Sequence, residues 1–296
     1  MIQEYPELKA LELEDISIID ENLKLFPRTI CELTLSNIFM WKDSDRTQLT
    51  RINGNLCLFL DTANEGSYSL EPLGHNLPDE TVAVCLKHAK RLSRVSEDLI
   101  KLLKPEGLKI TELRSQFDYI YATKDLAELK GKNFDGKRNH IKRFTRKFPE
   151  YQFVPLASGL KKEAMELFEK WFQERKNSGD HSDFAYTSQK SALLLAFDDL
   201  ESLQLKGGAL MADGKLKGFT MGSRLNEETD CIHFSYVDPD IEGATQVLLW
   251  ETMKKIAPIF KYVNLEQDLG LPGLRKTKLS YHPLKLEKKF EVEVQA

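Results

Sequence analysis

No stretch of the 296-residue chain approaches the ~20 apolar residues that a membrane-spanning helix needs. The start, Met1-Ile2-Gln3-Glu4-Tyr5-Pro6, lacks both the basic and the apolar part of a secretion signal, so a cytoplasmic location is expected. Cysteine is scarce: Cys31, Cys57, Cys85 and Cys231 are far apart and form no Cys-x-x-Cys pair, which argues against a zinc knuckle or a disulfide framework and for reduced core thiols. The six histidines stand singly, with no His-x-x-x-His to put two ligands on one helical face, and no metal site is expected.

What remains is a globular composition, 41% hydrophobic and 30% charged, enough to build buried sheets. The length exceeds the usual size of one core, so two domains are expected. A net charge of −4 conceals strong segregation, because Lys130 to Lys147 holds eight Lys or Arg residues and one acid, Asp135. Between Asp135 and Phe148 the apolar residues Ile141, Phe144 and Phe148 recur at three and four, with Arg138, Lys142 and Arg146 on another face. The spacing predicts a helix that packs on one side, carries a cationic stripe on the other and stops at Pro149.

Before this helix the pattern predicts a helix over Thr29–Met40 and strands at Gln48–Arg51, Leu56–Leu60 and Ser67–Leu70, with Asn53-Gly54 as a hairpin turn. Helices follow Pro78 as far as Leu92 and run from Glu97 to Leu103, and Phe117–Tyr121 reads as a strand. After Pro149 come strand Gln152–Pro155, helices Lys161–Lys176 and Ser188–Leu200, and strands Gln204–Ala212, Leu216–Leu225 and Asp230–Val237. Asp213-Gly214 makes the first of their turns. Helix Ala244–Ile256, strand Tyr262–Leu265, a short helix near Leu271–Leu279 and a strand near Leu286–Val294 complete the chain. That order, β-α-α-β-β-β-α-β-α-β, matches the GNAT acyltransferase fold.

Val237-Asp238-Pro239-Asp240-Ile241-Glu242-Gly243-Ala244-Thr245-Gln246-Val247-Leu248-Leu249 resembles the GNAT signature between the fourth strand and the acyl-CoA-binding helix. In that family, backbone N–H groups at the helix start cradle the CoA pyrophosphate. Here Val237, Pro239 and the leucine pair match, whereas Glu242, Thr245 and Val247 replace a basic or amide residue, a glycine and a small residue. The fold is expected without its usual cofactor, and acyl-CoA is disfavoured. Gly131-Lys132-Asn133-Phe134-Asp135-Gly136-Lys137-Arg138-Asn139-His140-Ile141-Lys142-Arg143-Phe144 and the segment Tyr262 to Pro283 are similar to a bacterial family classed with the C-terminal domain of phosphatidylglycerol lysyltransferase. The similarity extends to Glu32–Trp41 and Glu71-Pro72-Leu73-Gly74. It implies an α+β chain of two tandem GNAT-like units with mixed central sheets, as in Fem-type aminoacyl transferases. The expected blocks are residues 1–130, a basic linker helix at 131–150, and residues 151–296.

The basic helix, through Lys137, Arg138, Asn139 and Lys142, could hold tRNA, another phosphorylated ligand or anionic headgroups at a membrane periphery. Its plainer reading is a solvated linker. Asn264, Glu266, Asp268, Arg275 and Lys278 follow a buried strand, the place where α/β proteins bind ligands, unless the acids merely pair with the cations. Tyr281 stands near the position of the GNAT tyrosine that protonates a leaving group, and His233 could serve as a base from the fourth strand. Both could equally be packing residues. Backbone N–H groups near Ser235 and Val237 would meet an oxyanion. Together these place an aminoacyl- or acyl-transfer site where the basic helix, the fourth strand and the loop to Tyr281 converge, with Arg138 and Arg275 sharing the countercharge. A non-catalytic ligand-binding or sensor protein on the same fold is the alternative.

Overall fold

The computed structural model describes residues 2–26, 28–177 and 183–295. The first part of the chain contains β1 (Lys9–Ala10), α1 (Ile16–Leu23), α2 (Leu35–Met40), β2 (Gln48–Ile52), β3 (Asn55–Thr62), β4 (Gly66–Ser69), α3 (Pro78–Ala89), β5 (Arg91–Ser96), α4 (Glu97–Leu102) and β6 (Leu108–Glu112). Next come β7 (Asp118–Ala122), α5 (Thr123–Glu128), α6 (Asp135–Lys147), β8 (Gln152–Pro155), α7 (Lys161–Asn177) and α8 (Asp183–Asp198). The rest is β9 (Lys206–Ala212), β10 (Lys215–Arg224), β11 (Thr229–Val237), α9 (Ala244–Ile256), β12 (Tyr262–Asn264), α10 (Pro272–Leu279), β13 (Lys285–Glu287) and β14 (Lys289–Val294).

Local chemistry explains most boundaries. Asn53 and Gly54 at φ 53° and 79°, and Asp213 and Gly214 at 51° and 68°, make the tight hairpin turns their sequences call for. Thr34 starts α2 by accepting a hydrogen bond from the Asn37 N–H at 3.2 Å, so the helix expected from Thr29 begins at Leu35, after a 3-10 turn. Pro78 opens α3, and Lys90 closes it in the left-handed region at φ 67° with its N–H on the Leu86 carbonyl. The segment from Arg91, expected to finish that helix, is therefore strand β5. Val82, Cys85, Leu86 and Ala89 of α3 bury against Cys57, Phe59, Leu92, Val95, Phe290 and Val292 of the sheet. Each large aliphatic side chain so placed contributes roughly 1.5–3 kcal/mol.

The strands form two seven-stranded sheets, β1-β2-β3-β4-β5-β14-β6 and β13-β7-β12-β11-β10-β9-β8. Both contain a parallel pair bridged by a helical crossover, β4-α3-β5 in one and β11-α9-β12 in the other. In both, a strand from elsewhere in the sequence lies between the next two: β14 between β5 and β6, and β7 between β12 and β13. The repeat is thus visible in topology.

Two compact units result. One comprises residues 1–119, 267–276 and 286–296, and the other comprises residues 120–266 and 277–285. Contiguous blocks divided near Pro149 do not describe them. The basic helix α6 lies inside the second unit, held by Ile141 and Phe144, which are buried beneath it, and packed on α9. Sheet pairing, not the charge run, decides the division.

Candidate active site

In the second unit β11 pairs in parallel with β12 only from Thr229↔Tyr262 to Cys231↔Asn264, while β11 continues to Val237. Alternation along β11 puts Cys231 and His233 on one face. On its other edge β11 is antiparallel to β10, which sets Ser223 opposite Cys231 next to a bulge at Met221/Gly222. From beyond β12 comes Glu266, at φ 58°. The Asn264 Oδ1 accepts its N–H at 2.7 Å, and the Lys278 ammonium donates to the carbonyls of Leu265 and Glu266. These three contacts hold Glu266 in its left-handed conformation and fix where its side chain starts.

The result is a polar line across three strands. Glu266 Oε1 lies 2.8 Å from His233 Nδ1, and Ser223 Oγ lies 2.9 Å from His233 Nε2. The Cys231 Sγ is 3.7 Å from His233 Nδ1 and 3.8 Å from Glu266 Oε1. The His233 side chain is 1% exposed and that of Glu266 21%, so the carboxylate is the open end of the group. These ligand atoms of Cys231, His233 and Glu266 lie within 4.8 Å of one another. Three possible ligand types meet here although the sequence spacing shows no ligand pair, because a strand brings Cys-x-His to one face and the neighbouring strand's exit supplies the acid.

The start of α9 is packed tightly against α6 at Gly243. Gly243, at φ 83°, sits so tightly under α6 that a Cβ on it would lie 2.5 Å from the His140 carbonyl oxygen and 3.1 Å from Phe144 Cβ. Glu242 pairs with Arg143, which holds its carboxyl below the usual range, and lies 3.5 Å from His140 Nδ1. An anion approaching these helix N–H groups would meet a carboxylate and a backbone oxygen.

Elsewhere in this unit, the Lys137 ammonium lies 3.9 Å from the centre of the Tyr281 ring and donates to Ser280 Oγ at 2.6 Å. Burial lowers the Lys137 pKa and raises that of Tyr281, whose buried hydroxyl has no hydrogen-bond partner among the described residues. Arg138 donates to the carbonyls of Leu129 and Gly131 and to Asp135, so it locks the approach to its own helix. Asn139, Lys142 and Ser235 are exposed and Val237 is half-buried.

Asp268 and Arg275 belong to the first unit. The Asp268 carboxylate is fully buried and accepts from Tyr119 at 2.6 Å, Arg114 at 3.0 Å and Arg275 at 2.8 and 3.0 Å. Burial opposes its charge, but Arg275, Tyr119, the Gly270 N–H and Arg114 outweigh it and hold the pKa below the usual range. Arg138 and Arg275 are therefore each engaged inside a different unit, and the shared countercharge expected of them is spent on carbonyls and on Asp268. The acid–cation pairing named as the plainer reading of this loop is what Asp268 and Arg275 do. Ser223 and Cys231 were missed as site residues, although the hairpin register of β10 and β11 places them beside His233.

The second unit's order β8-α7-α8-β9-β10-β11-α9-β12, with its parallel β11–β12 pair, defines a GNAT-like acyltransferase fold, and the two units make a tandem. The chain belongs to the family described as phosphatidylglycerol lysyltransferase, C-terminal, whose model matches residues 23–293. It is similar to a conserved protein of unknown function from Bacteroides thetaiotaomicron VPI-5482, at 31% identity and TM-score 0.87 over 100% of both chains. The structure of L-PGS from Bacillus licheniformis shares the fold, with TM-score 0.64 at 15% identity over 99% of this chain and 93% of that one. An uncharacterised protein of Mycoplasmoides gallisepticum, MYCGA3080, is 22% identical over 230 residues, 74% of this chain and 72% of the relative. Among the described residues no helix is long and apolar enough to cross a membrane.

Proposed function

We propose that the second unit transfers an aminoacyl or acyl group from an activated ester other than acyl-CoA, with aminoacyl-tRNA as the donor, to a hydroxyl or amine. The observation that carries this reading is the tight seat of α6 on the start of α9, with Glu242 at its edge. The pyrophosphate of CoA needs free N–H donors there, and the His140 carbonyl packed against Gly243 and the Glu242 carboxylate both bring negative charge close to them. The donor must then be held elsewhere, and Lys142 and Arg146, both exposed on α6, offer contacts to a phosphate backbone.

The Cys231, His233, Glu266 and Ser223 group, where β12 stops pairing with β11, is the part of the unit that can activate an acceptor. The N–H groups of β11 beyond Cys231 that point to this side supply donors for an oxyanion. Tyr281 returns a proton to the departing oxygen. The family's named reaction makes phosphatidylglycerol the first hydroxyl acceptor to try. The near-complete covering of His233 supports the second reading, a binding protein without turnover.

The purified chain should be incubated with lysyl-tRNA and a panel of other aminoacyl-tRNAs, with phosphatidylglycerol vesicles or small amines, and products read by mass spectrometry. Acetyl-CoA should be titrated by calorimetry in parallel. Transfer with at least one pair and no heat from acetyl-CoA is the expected result. Low-micromolar acetyl-CoA binding would sink the donor assignment.

A further inference from the structure

We infer that Cys231, His233 and Glu266 form a three-ligand zinc site with an open fourth position. Thiolate, imidazole and carboxylate together suit zinc, and three protein ligands plus one open position is the arrangement of catalytic zinc. With bonds of about 2.3 Å to sulfur and about 2.0–2.1 Å to nitrogen and oxygen, tetrahedral geometry separates ligand atoms by roughly 3.3–3.6 Å. The two separations to Cys231 Sγ, 3.7 and 3.8 Å, are already close to that. Only the 2.8 Å contact between His233 Nδ1 and Glu266 Oε1 must widen, by about half an ångström on these bond lengths. The part-exposed carboxylate can make that movement while Cys231 and His233 stay in their strand.

The surroundings suit a metal as well. A histidine bound through Nδ1 carries its proton on Nε2, and Ser223 Oγ, 2.9 Å away, accepts it, which fixes the tautomer and ring plane. Glu266 is held in place through its backbone by Asn264 and Lys278, so its carboxylate is presented without being consumed by those contacts. Binding converts the Cys231 thiol to thiolate and releases its proton to solvent. The site stands apart from any substrate. Its role in catalysis rests on the transfer reading above: the open position would take the acceptor hydroxyl and lower its pKa.

The test uses the full chain after dialysis against EDTA, titrated with cobalt(II) and then zinc. One equivalent of cobalt should bind with a near-ultraviolet thiolate charge-transfer band, and zinc should abolish the band. Cys231→Ser should remove it. Glu266→Gln should keep it but weaken cobalt binding at least 10-fold, and Ser223→Ala should weaken it about 10- to 100-fold, as removal of such an outer partner does. No band in the folded wild-type chain, or an undiminished band in Cys231→Ser, overturns the site. If Cys231→Ser does not fold, Glu266→Gln decides, and unchanged affinity there also overturns it. Transfer by the metal-free chain would end the ion's catalytic role but leave the transferase reading intact. A zinc-loaded chain that transfers to no acceptor would end the transferase reading, and the ion's catalytic role with it, and leave the zinc site itself standing.

Discussion

Replacing Gly243 by Ala tests the tight packing at the start of α9 directly, because two separate costs can be told apart. The residue is left-handed at φ 83°, which costs an L side chain roughly 1–2 kcal/mol. The new Cβ would also lie 2.5 Å from the His140 carbonyl oxygen and 3.2 Å from its carbon, both backbone atoms of α6. A helix cannot yield there as the tip of a side chain would, so α6 must shift by most of an ångström, at about 1–3 kcal/mol for such overpacking. Gly214→Ala isolates the first cost, since Gly214 is left-handed at φ 68° with nothing within 4 Å of its Cβ position. Denaturant titration should therefore find Gly243→Ala less stable than Gly214→Ala by about 1–3 kcal/mol. Hydrogen exchange read by mass spectrometry should find α6 amides opening roughly 10- to 100-fold faster in Gly243→Ala alone, since each tenfold is about 1.4 kcal/mol. Equal stabilities and equal α6 exchange in the two variants would refute the tight seat of α6 on α9, and with it the main argument against CoA.

Two further outcomes follow from buried groups. Burial pushes the Glu71 carboxyl from 4.5 up to about 7, against the opposing Ser96 N–H at 2.6 Å. A raised folded pKa contributes stability that is complete below about pH 4.5 and is lost as pH rises through 7, a change of about 3 kcal/mol. Glu71→Gln should flatten that slope of denaturation midpoint against pH, and an unaltered slope would place the titration on another group. The Tyr281 hydroxyl, without a hydrogen-bond partner among the described residues, gives Tyr281→Phe opposite signs in two assays: stability unchanged or raised by about 1–3 kcal/mol, and transfer lowered about 10²- to 10⁴-fold if the phenol protonates the leaving group. Full activity in that variant would remove Tyr281 from the mechanism.

How much could be read beforehand varied with how local the determinant is. Turn dipeptides and the three-and-four spacing of Ile141, Phe144 and Phe148 are local, and the hairpins and α6 follow them. Lys90 ends α3 in a conformation usually marked by glycine or asparagine, so β5 was hidden behind a helix with no stop signal. Strand periodicity shows which face is buried and is silent about the neighbour, so neither the place of β7 in the second sheet nor that of β14 in the first could be read. Charge shows in sequence while its use does not: Arg138 serves carbonyls nine and seven residues back along the chain. Glu266 was named from its position after a buried strand, and His233 from its place within the fourth strand. Their pairing, and the addition of Cys231 and Ser223, needed the β10–β11 register.

The repeat lets the polar groups of the two units be compared. In the first unit the region of the corresponding parallel pair, β4 and β5, is occupied by mutually satisfied charges. Arg94 of β5 lies 5.1 Å from the Tyr68 ring centre and pairs with Glu65 at 2.5 Å and Glu32 at 3.8 Å. Lys289, fully buried, bridges Glu32 at 2.6 Å and Asp118 at 2.7 Å. Burial works against its ammonium, yet Asp118, Cys31 and Glu32 prevail and its pKa is raised. Cys31 and the two acids resemble the second unit's Cys-His-Glu group in ligand chemistry. The lysine nevertheless stands where a cation would have to enter, and removing one partner from such a pair typically costs about 3–5 kcal/mol. In the second unit the acid faces a histidine and a thiol, groups that can give up a proton or accept a metal without leaving a bare charge behind. The two units therefore differ in their buried polar groups: in the first a lysine and two acids balance one another within the sheet, and in the second a histidine, a thiol and a carboxylate meet.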